Sequence, residues 1–301
     1  MMQKVNNKLI VILGPTASGK SDLAIRLAKK FNGEIVCADS RQIYKGMTIG
    51  TAKTSETRSR NPRPGLGVPH HLFDIALPNK PLNVAIYKKM AEKTIKDIQK
   101  RGKVPFLVGG TGLYIKAIVD NLQFPKLKPN QKLRKKLEQK TTKELFIIYK
   151  KLDGQGAKQI DNNNKRRLIR AIEVCKITGQ PFWEQRQKAT PLFDVSQIGI
   201  KFPKAELKKR IGKRTNKMLK QGLEREVKLL VKKYGWTAVL QNTIGYAEWQ
   251  KKTTKKKLRE LIFLHTIQFA KRQMTWFKKE KRIKWINNPA QAKKLIIDFL
   301  D

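Results

Sequence analysis

The chain has 301 residues, 67 of them Lys or Arg against 23 Asp or Glu, a formal net charge of +44. Forty per cent of the residues are hydrophobic, enough for a packed core, which excludes a disordered basic tail as a description of the whole chain. No stretch approaches the ~18 apolar residues of a membrane span, and the apolar run near the N-terminus is too short for a signal peptide. Cys37 and Cys175 are too few and too far apart for a disulfide framework or a CxxC metal site. The expectation is a soluble, cytoplasmic protein, monomeric by default. It should have a polyanionic partner, tempered by the general lysine richness of the chain. The excess is densest late: residues 126–190 carry 18 basic and 6 acidic residues, and residues 201–301 carry 28 and 8. A small phosphate ligand needs only a few cations, so this distribution asks for a larger anion.

In chain order, KLIVIL at 8–13 reads as a buried strand by its apolar, β-branched composition. A glycine-rich turn follows, then an amphipathic helix through Leu23, Ile25, Leu27 and Phe31. EIVC at 34–37 is a second strand, 54–69 a polar loop rich in Pro, Gly and Arg, 83–101 a helix, and VPFLV at 104–108 a third strand. This alternation predicts a parallel α/β sheet. Residues 126–190 change character to Lys-rich helical periodicity and predict a mostly helical insertion domain. VSQIGIKF at 195–202 returns as a strand. Helices are expected over 204–221, 222–234, 256–280 and near 290–300, with IKWI at 283–286 as a last strand. The fold class is therefore α/β: a P-loop NTPase-like parallel sheet flanked by helices, formed by 1–125 and 191–301 and interrupted by the insertion.

GPTASGKS, from Gly14 through Pro15, Thr16, Ala17, Ser18, Gly19 and Lys20 to Ser21, matches GxxxxGK[ST] between a strand and a helix. Its glycines allow a tight loop, its amides and the helix N-terminus face a diphosphate, and Lys20 reaches the terminal phosphate. The Ser21 hydroxyl is a Mg²⁺ ligand candidate. The motif is specific for phosphate but not for nucleotide. A kinase of this fold also needs a metal-binding Asp after another strand, and VPFLV runs instead into Gly109-Gly110-Thr111. Asp39 follows the second strand, in the crevice where doubly wound sheets bind ligands. It is placed to assist a cation or to accept a proton, or to serve as a turn residue. Arg41 and Gln42 offer hydrogen bonds to a base edge, and Tyr44 a stacking ring.

GPTASGKS, DSRQIYKGMTIGTAK, PHHLFDI and LVGGTGLY occur in that order, followed by RRLIRAIEV, RIGKRTNKMLKQGLEREV, IGY and AKRQMTWF. Together they span essentially the whole chain and resemble the bacterial tRNA dimethylallyltransferases. The resemblance implies transfer of the dimethylallyl group of dimethylallyl diphosphate to N6 of the adenosine immediately 3′ of the tRNA anticodon, with Mg²⁺ as cofactor. The phosphate loop would then hold a prenyl diphosphate, which explains the missing Asp. By resemblance, Asp39 takes the N6 proton, Thr111 donates to the leaving oxygen, and Arg214 neutralises diphosphate charge with Arg210 beside it. The family's tRNA contacts map onto Asp39, Ser40, Arg41 and Gln42; Thr111; Arg166, Arg167, Leu168, Ile169 and Arg170; Asn242, Gly245 and Tyr246; and Lys271, Arg272, Gln273 and Trp276. The insertion matches the part that grips the anticodon stem-loop. His70, His71 and Phe73 fall in PHHLFD and are given no metal role. Two positions depart from the pattern: Ile267 stands where the family commonly has Arg, and Thr54 where Pro often follows GTAK. Three rivals are weighed: prenyl transfer to a free nucleotide, a small-metabolite kinase, and a non-catalytic RNA-binding module. The basic insertion and AKRQMTWF disfavour the first, the missing Asp disfavours the second, and the intact phosphate loop with Asp39 and Thr111 disfavours the third.

Overall fold

A computed structural model describes residues 7–53, 67–125, 127, 129–185 and 189–301. The expected loop at 54–69, with Thr54, lies outside the described residues as far as 66. Two compact units are present: Met1–Val119 with Leu192–Asp301, and Asp120–Pro191.

The first unit is built on strands β1 (Lys8–Leu13), β2 (Gly33–Cys37), β3 (His70–His71), β4 (Val104–Gly109), β5 (Asp194–Ile200) and β6 (Ile283–Ile286). They form one sheet in the order β3-β2-β4-β1-β5-β6, and neighbouring strands run parallel throughout. Leu9 to Leu13 are fully buried, as expected for a strand covered on both faces. Helices α1 (Lys20–Lys30), α2 (Val84–Lys100), α3 (Gly112–Val119), α8 (Lys204–Lys220), α9 (Leu223–Tyr234), α11 (Lys255–Phe277) and α12 (Pro289–Leu300) pack around it, with a single turn, α10 (Ala238–Gln241). Sequence polarity sets their ends. Asn83 and Thr254 cap α2 and α11 by accepting the amides of Ile86 and Lys257, and Asn288 caps α12 ahead of Pro289 at its first turn. Helix α3 and the two-residue β3 are additions to the elements expected from sequence.

Register positions the site. Leu13 pairs with Gly109 at the carboxyl end of β1, and Cys37 pairs with Val108 at that of β2. The segments beginning at Gly14, Ala38 and Gly110 therefore leave three neighbouring strands at one edge. Tyr87 of α2 donates to the Cys37 carbonyl at 2.9 Å and stacks on Tyr114 at 3.8 Å, bracing the end of β2.

The second unit contains α4 (Gln131–Glu138), α5 (Thr142–Leu152), α6 (Gly154–Ala157) and α7 (Lys165–Thr178). It begins at Asp120, earlier than the expected 126. Asn121 closes its base, donating through Nδ2 to the Thr190 carbonyl at 2.7 Å. Its core gathers Leu137, Leu145, Tyr149, Leu168, Ile169, Ile172 and Cys175. Glu173 is fully buried and accepts from Arg134 and Arg170 and from the Asn130 amide. Burial raises its carboxyl, but these donors outweigh burial and hold it below the ordinary value.

Glu34, in β2, is the corresponding buried acid of the first unit. It binds His71, Arg101 and Lys103. Burial alone would raise its carboxyl; the hydrogen bonds from His71, Arg101 and Lys103 and the charge of Arg101 reverse that and hold it well below the ordinary value. A carboxyl depressed in the folded state stabilises above its unfolded value, about 4.3, and loses that contribution as pH falls toward the folded value. Glu34→Gln should cost about 1.5–3 kcal/mol at pH 7 and should lose less stability than the parent between pH 5 and pH 3. Urea unfolding at both pH values checks this, and equal acid sensitivity in the two proteins refutes it.

Candidate functional site

The phosphate loop leaves β1 with Ala17 and Gly19 in left-handed conformations, φ 62° and 77°. Gly19 caps α1, so the loop closes directly onto the helix N-terminus. Lys20 turns back to donate to the Pro15 carbonyl at 3.0 Å. Burial lowers its ammonium to about 8, against the favourable charge of Asp39, and Arg214 across the cavity lowers it further. Burial also lowers the Arg214 guanidinium, opposed by Asp39. The two cations thus share desolvation and one nearby carboxylate.

Asp39 accepts the Arg41 amide at 2.9 Å, an Asx turn that fixes the side chain at the end of β2. Thr111 is tied to the same turn. Its amide donates to the Ala38 carbonyl at 3.1 Å, and its hydroxyl accepts the Ser40 amide at 2.9 Å with Ser40 Oγ at 3.2 Å. The Ser40 amide occupies one lone pair, so the Thr111 proton is free to turn from Ser40 Oγ toward an anion in the cavity.

Two connected spaces meet here. A narrow one of about 70 Å³ is lined by Lys20, Ser21, Asp39 and Arg214. A wider one of about 470 Å³ shares Thr16, Asp39, Arg214 and Gln273 with it. The wider space extends past Thr111 and Arg41 to Asn242, Gly245, Arg272 and Trp276. Arg210, one turn before Arg214, sits outside both. It pairs with Glu206 at 3.0 Å, lies 4.2 Å over the Phe202 ring, and borders the phosphate loop at Gly19.

Several expected contacts are corrected. Leu168 and Ile169 lie in the core of the second unit, exposed by 0% and 6%, so their side chains are not available to RNA. Arg170 is engaged by Glu173; Arg166 is exposed and Arg167 half-buried. Tyr246 is fully buried, its hydroxyl donating to Glu226 at 2.6 Å. Tyr44 is buried and its hydroxyl accepts the Leu82 amide, so its ring stacks on no base. Gln42 donates to the Thr51 carbonyl at 2.9 Å. Gln273 points inward. Lys271 and Arg272 are exposed, and Trp276 is 42% exposed. Ile267 is a half-buried residue of α11. His70 bonds the Val68 carbonyl and meets Phe73 edge-on.

One functional support has no counterpart among the residues expected from sequence. Glu226 of α9 accepts the amides of Thr48, Ile49 and Gly50 at 2.7–3.1 Å as well as the Tyr246 hydroxyl. It thereby folds the 46–53 loop that lends Gly50 and Thr51 to the cavity wall. The Glu lies within GLEREV, but no spacing rule links it to a loop whose amides stand 176 to 178 residues earlier.

The fold and site define a phosphate-loop α/β protein with a cation-lined cavity at its strand ends and a Gly-Thr turn where related kinases place a metal-binding carboxylate. Comparison with known proteins specifies the group. Residues 42–280 match the family model described as IPP transferase, and residues 7–62 match that of isopentenyl transferase. The chain is 41% identical to a tRNA dimethylallyltransferase of Carboxydothermus hydrogenoformans, covering 96% of this chain and 94% of that one. It is 40% identical to the tRNA dimethylallyltransferase of Halothermothrix orenii, covering 98% and 94%. Among solved structures, the tRNA isopentenylpyrophosphate transferase of Bacillus halodurans superposes with TM-score 0.71 at 32% identity, covering 98% and 97%. A eukaryotic dimethylallyltransferase acting on tRNA superposes with TM-score 0.78 at 28% identity, covering 94% and 74%. The chain belongs to the tRNA dimethylallyltransferase family.

The strand-end geometry is intolerant of added volume. A Cβ at Gly109 would lie 2.1 Å from the Ala38 carbonyl oxygen, a backbone atom that cannot swing aside. Gly109→Ala should separate the ends of β2 and β4, destabilise by about 1–3 kcal/mol and abolish activity. Thermal unfolding paired with a turnover assay checks this; wild-type values for both would contradict so close an approach of the two strand ends.

Proposed function

We propose that this chain transfers the dimethylallyl group of dimethylallyl diphosphate to N6 of the adenosine 3′ of the anticodon, in the cytoplasm, holding the anticodon stem-loop of its tRNA. The observation that carries the reading is that two spaces share one wall: Asp39 and Arg214 line both the narrow space that holds Lys20 and the wider one that holds Thr111, Arg41, Asn242, Arg272 and Trp276. The diphosphate lies on the amides from Ala17 to Ser21 and against Lys20 and Arg214, with Arg210 at the loop's outer edge. The adenine leaves its stack and enters from the wider end, as base-modifying enzymes require. Trp276 and the Arg272 plane offer it stacking surfaces of the sort unpaired RNA bases use.

As N6 forms its bond to the allylic carbon, the carbon–oxygen bond to diphosphate breaks and the N6 proton passes to Asp39. Thr111 donates to the departing oxygen, and the two desolvated cations stabilise the charge that accumulates there. A removed donor at such a position typically costs about 10²–10³ in rate. The residues also fit Mg²⁺: Ser21 supplies a hard oxygen ligand in the cavity, and the Ser18 hydroxyl is buried without a partner among the described residues. When bound, the ion would add charge neutralisation at the diphosphate.

Labelled dimethylallyl diphosphate incubated with tRNA or with AMP tests the reading. Label should enter tRNA and not AMP, and ATP should yield no phosphoryl transfer; label in AMP alone would establish the free-nucleotide reading instead. Asp39→Asn keeps an acceptor for the Arg41 amide but removes the base. It should bind tRNA normally and transfer about 10²–10⁴-fold more slowly; an undiminished rate excludes Asp39 as base.

Lys20 gives a pH signature. Its ammonium, lowered to about 8, is charged below that pH and neutral above it. Affinity for dimethylallyl diphosphate should therefore fall as pH rises through about 8, while Lys20→Arg should show no such fall. Calorimetric titration from about pH 7 to well above the Lys20 value decides, and parallel profiles would remove Lys20 from the diphosphate site.

A further inference from the structure

Gln273 is a polar residue on the buried side of α11, 6% exposed, in a stretch whose preceding residues face solvent. Its amide is divided between two loops. Oε1 accepts the Thr16 amide at 2.8 Å, and Nε2 donates to the Gly110 carbonyl at 2.9 Å. Thr16 belongs to the phosphate loop leaving β1, and Gly110 immediately precedes Thr111 in the turn leaving β4. The β1–β4 ladder extends to the Leu13–Gly109 pair, so one side chain continues the connection past the point where backbone pairing stops.

We propose that Gln273 is a positioning residue of the transfer reaction: it fixes the distance between the diphosphate loop and Thr111 and makes no contact with tRNA. The inference rests on the reading of Thr111 as donor to the leaving diphosphate. Three further features agree with it. The turn is hollowed to receive α11: a Cβ at Gly110 would lie 2.3 Å from Gln273 Nε2, and one at Gly112 would lie 2.2 Å from Trp276. Only a side chain with one acceptor and one donor at this reach satisfies both loops. Glu keeps the acceptor and loses the donor, and Met fills the volume with neither. Finally, the Thr16 amide is already committed to Gln273, so this amide is not among those offered to the diphosphate. On this assignment α11 divides by face, with Lys271 exposed, Arg272 on the wall of the wider space and Gln273 on the wall that both spaces share.

The test compares Gln273→Met, Gln273→Glu and the double variant Lys271→Ala/Arg272→Ala in the full chain. Both Gln273 variants should melt within a few degrees of wild type and lose about 10–100-fold in kcat, the scale of a sub-ångström to roughly 1 Å misplacement. KM for dimethylallyl diphosphate should rise, and Kd for tRNA should stay within about two-fold. The double variant should instead weaken tRNA binding and flatten its salt dependence. If Gln273→Met unfolds, the milder Gln273→Glu carries the comparison. Normal kcat with a raised tRNA Kd in either Gln273 variant overturns the proposal in favour of an RNA contact.

Gly110→Ala supplies a second route, because the added methyl displaces the Gln273 amide. Its loss of kcat should not deepen when Gln273→Ala is added; fully additive losses overturn the proposal. Thr111→Val separates this inference from the reading beneath it. A fast Thr111→Val with slow Gln273 variants removes Thr111 from the chemistry but leaves the loop-positioning effect, whereas a slow Thr111→Val with fast Gln273 variants defeats the positioning role alone.

Discussion

The site depends on one electrostatic constraint: two cations, Lys20 and Arg214, are desolvated around a single carboxylate, Asp39. Both are half-buried, and that partial burial lowers both, a cost of holding charge partly away from water. Asp39 offsets part of that cost and leaves the cavity net positive. On the proposed function this positive cavity would attract the diphosphate, and the charge that develops as it departs would fall on groups already oriented. The same constraint explains why Asp39 and Thr111 are tied into one turn. A carboxylate between two cations would be drawn toward them unless its backbone and its Oδ1 were fixed.

Fixing those groups is the task of residues remote in sequence. Parallel register brings the ends of β2, β4 and β1 side by side, but each loop then leaves its ladder. Beyond that point three side chains supplement the backbone bond from Thr111 to Ala38: Thr111 joins the β4 turn to the β2 turn, Gln273 joins it to the phosphate loop, and Glu226 gathers the 46–53 loop. Each is buried or half-buried and each uses more than one bond, so the loops behave as extensions of the rigid sheet rather than as independent segments.

What was legible in the sequence follows from this division. The phosphate loop, the strands around it and the helix limits near 204, 223 and 255 are local signals, carried by composition and capping residues a few positions apart. The resemblance identified the segments of the site, but a segment match says nothing about side-chain direction. Leu168, Ile169 and Tyr246 were therefore expected at the RNA and lie inside, while Gln273 ties two loops together at the cavity wall. For Leu168 and Ile169 a local signal existed, since with Ile172 and Cys175 they form the buried stripe of α7. For Gln273 and Glu226 none did, because the loop groups they hold lie 163 to 257 and 176 to 178 residues away. The two-residue β3 is too short to show any periodicity at all.

The charge of the chain can be read in the same way. Two of its acids sit in the interior with several basic side chains each: Glu34 holds His71, Arg101 and Lys103, and Glu173 holds Arg134 and Arg170. Such sharing neutralises carboxylates but consumes few of the 67 basic residues. Most of the other lysines are dispersed on solvated faces, where a phosphate contact is worth little singly and gains through counterion release collectively. Selectivity therefore cannot come from the net charge, which attracts any nucleic acid. On the proposed function it would come from the cavity, where a base that has left its stack would present its amine to Asp39 within reach of a diphosphate on the far side. The bulk charge would then set how often RNA arrives, and the strand-end geometry which atom reacts.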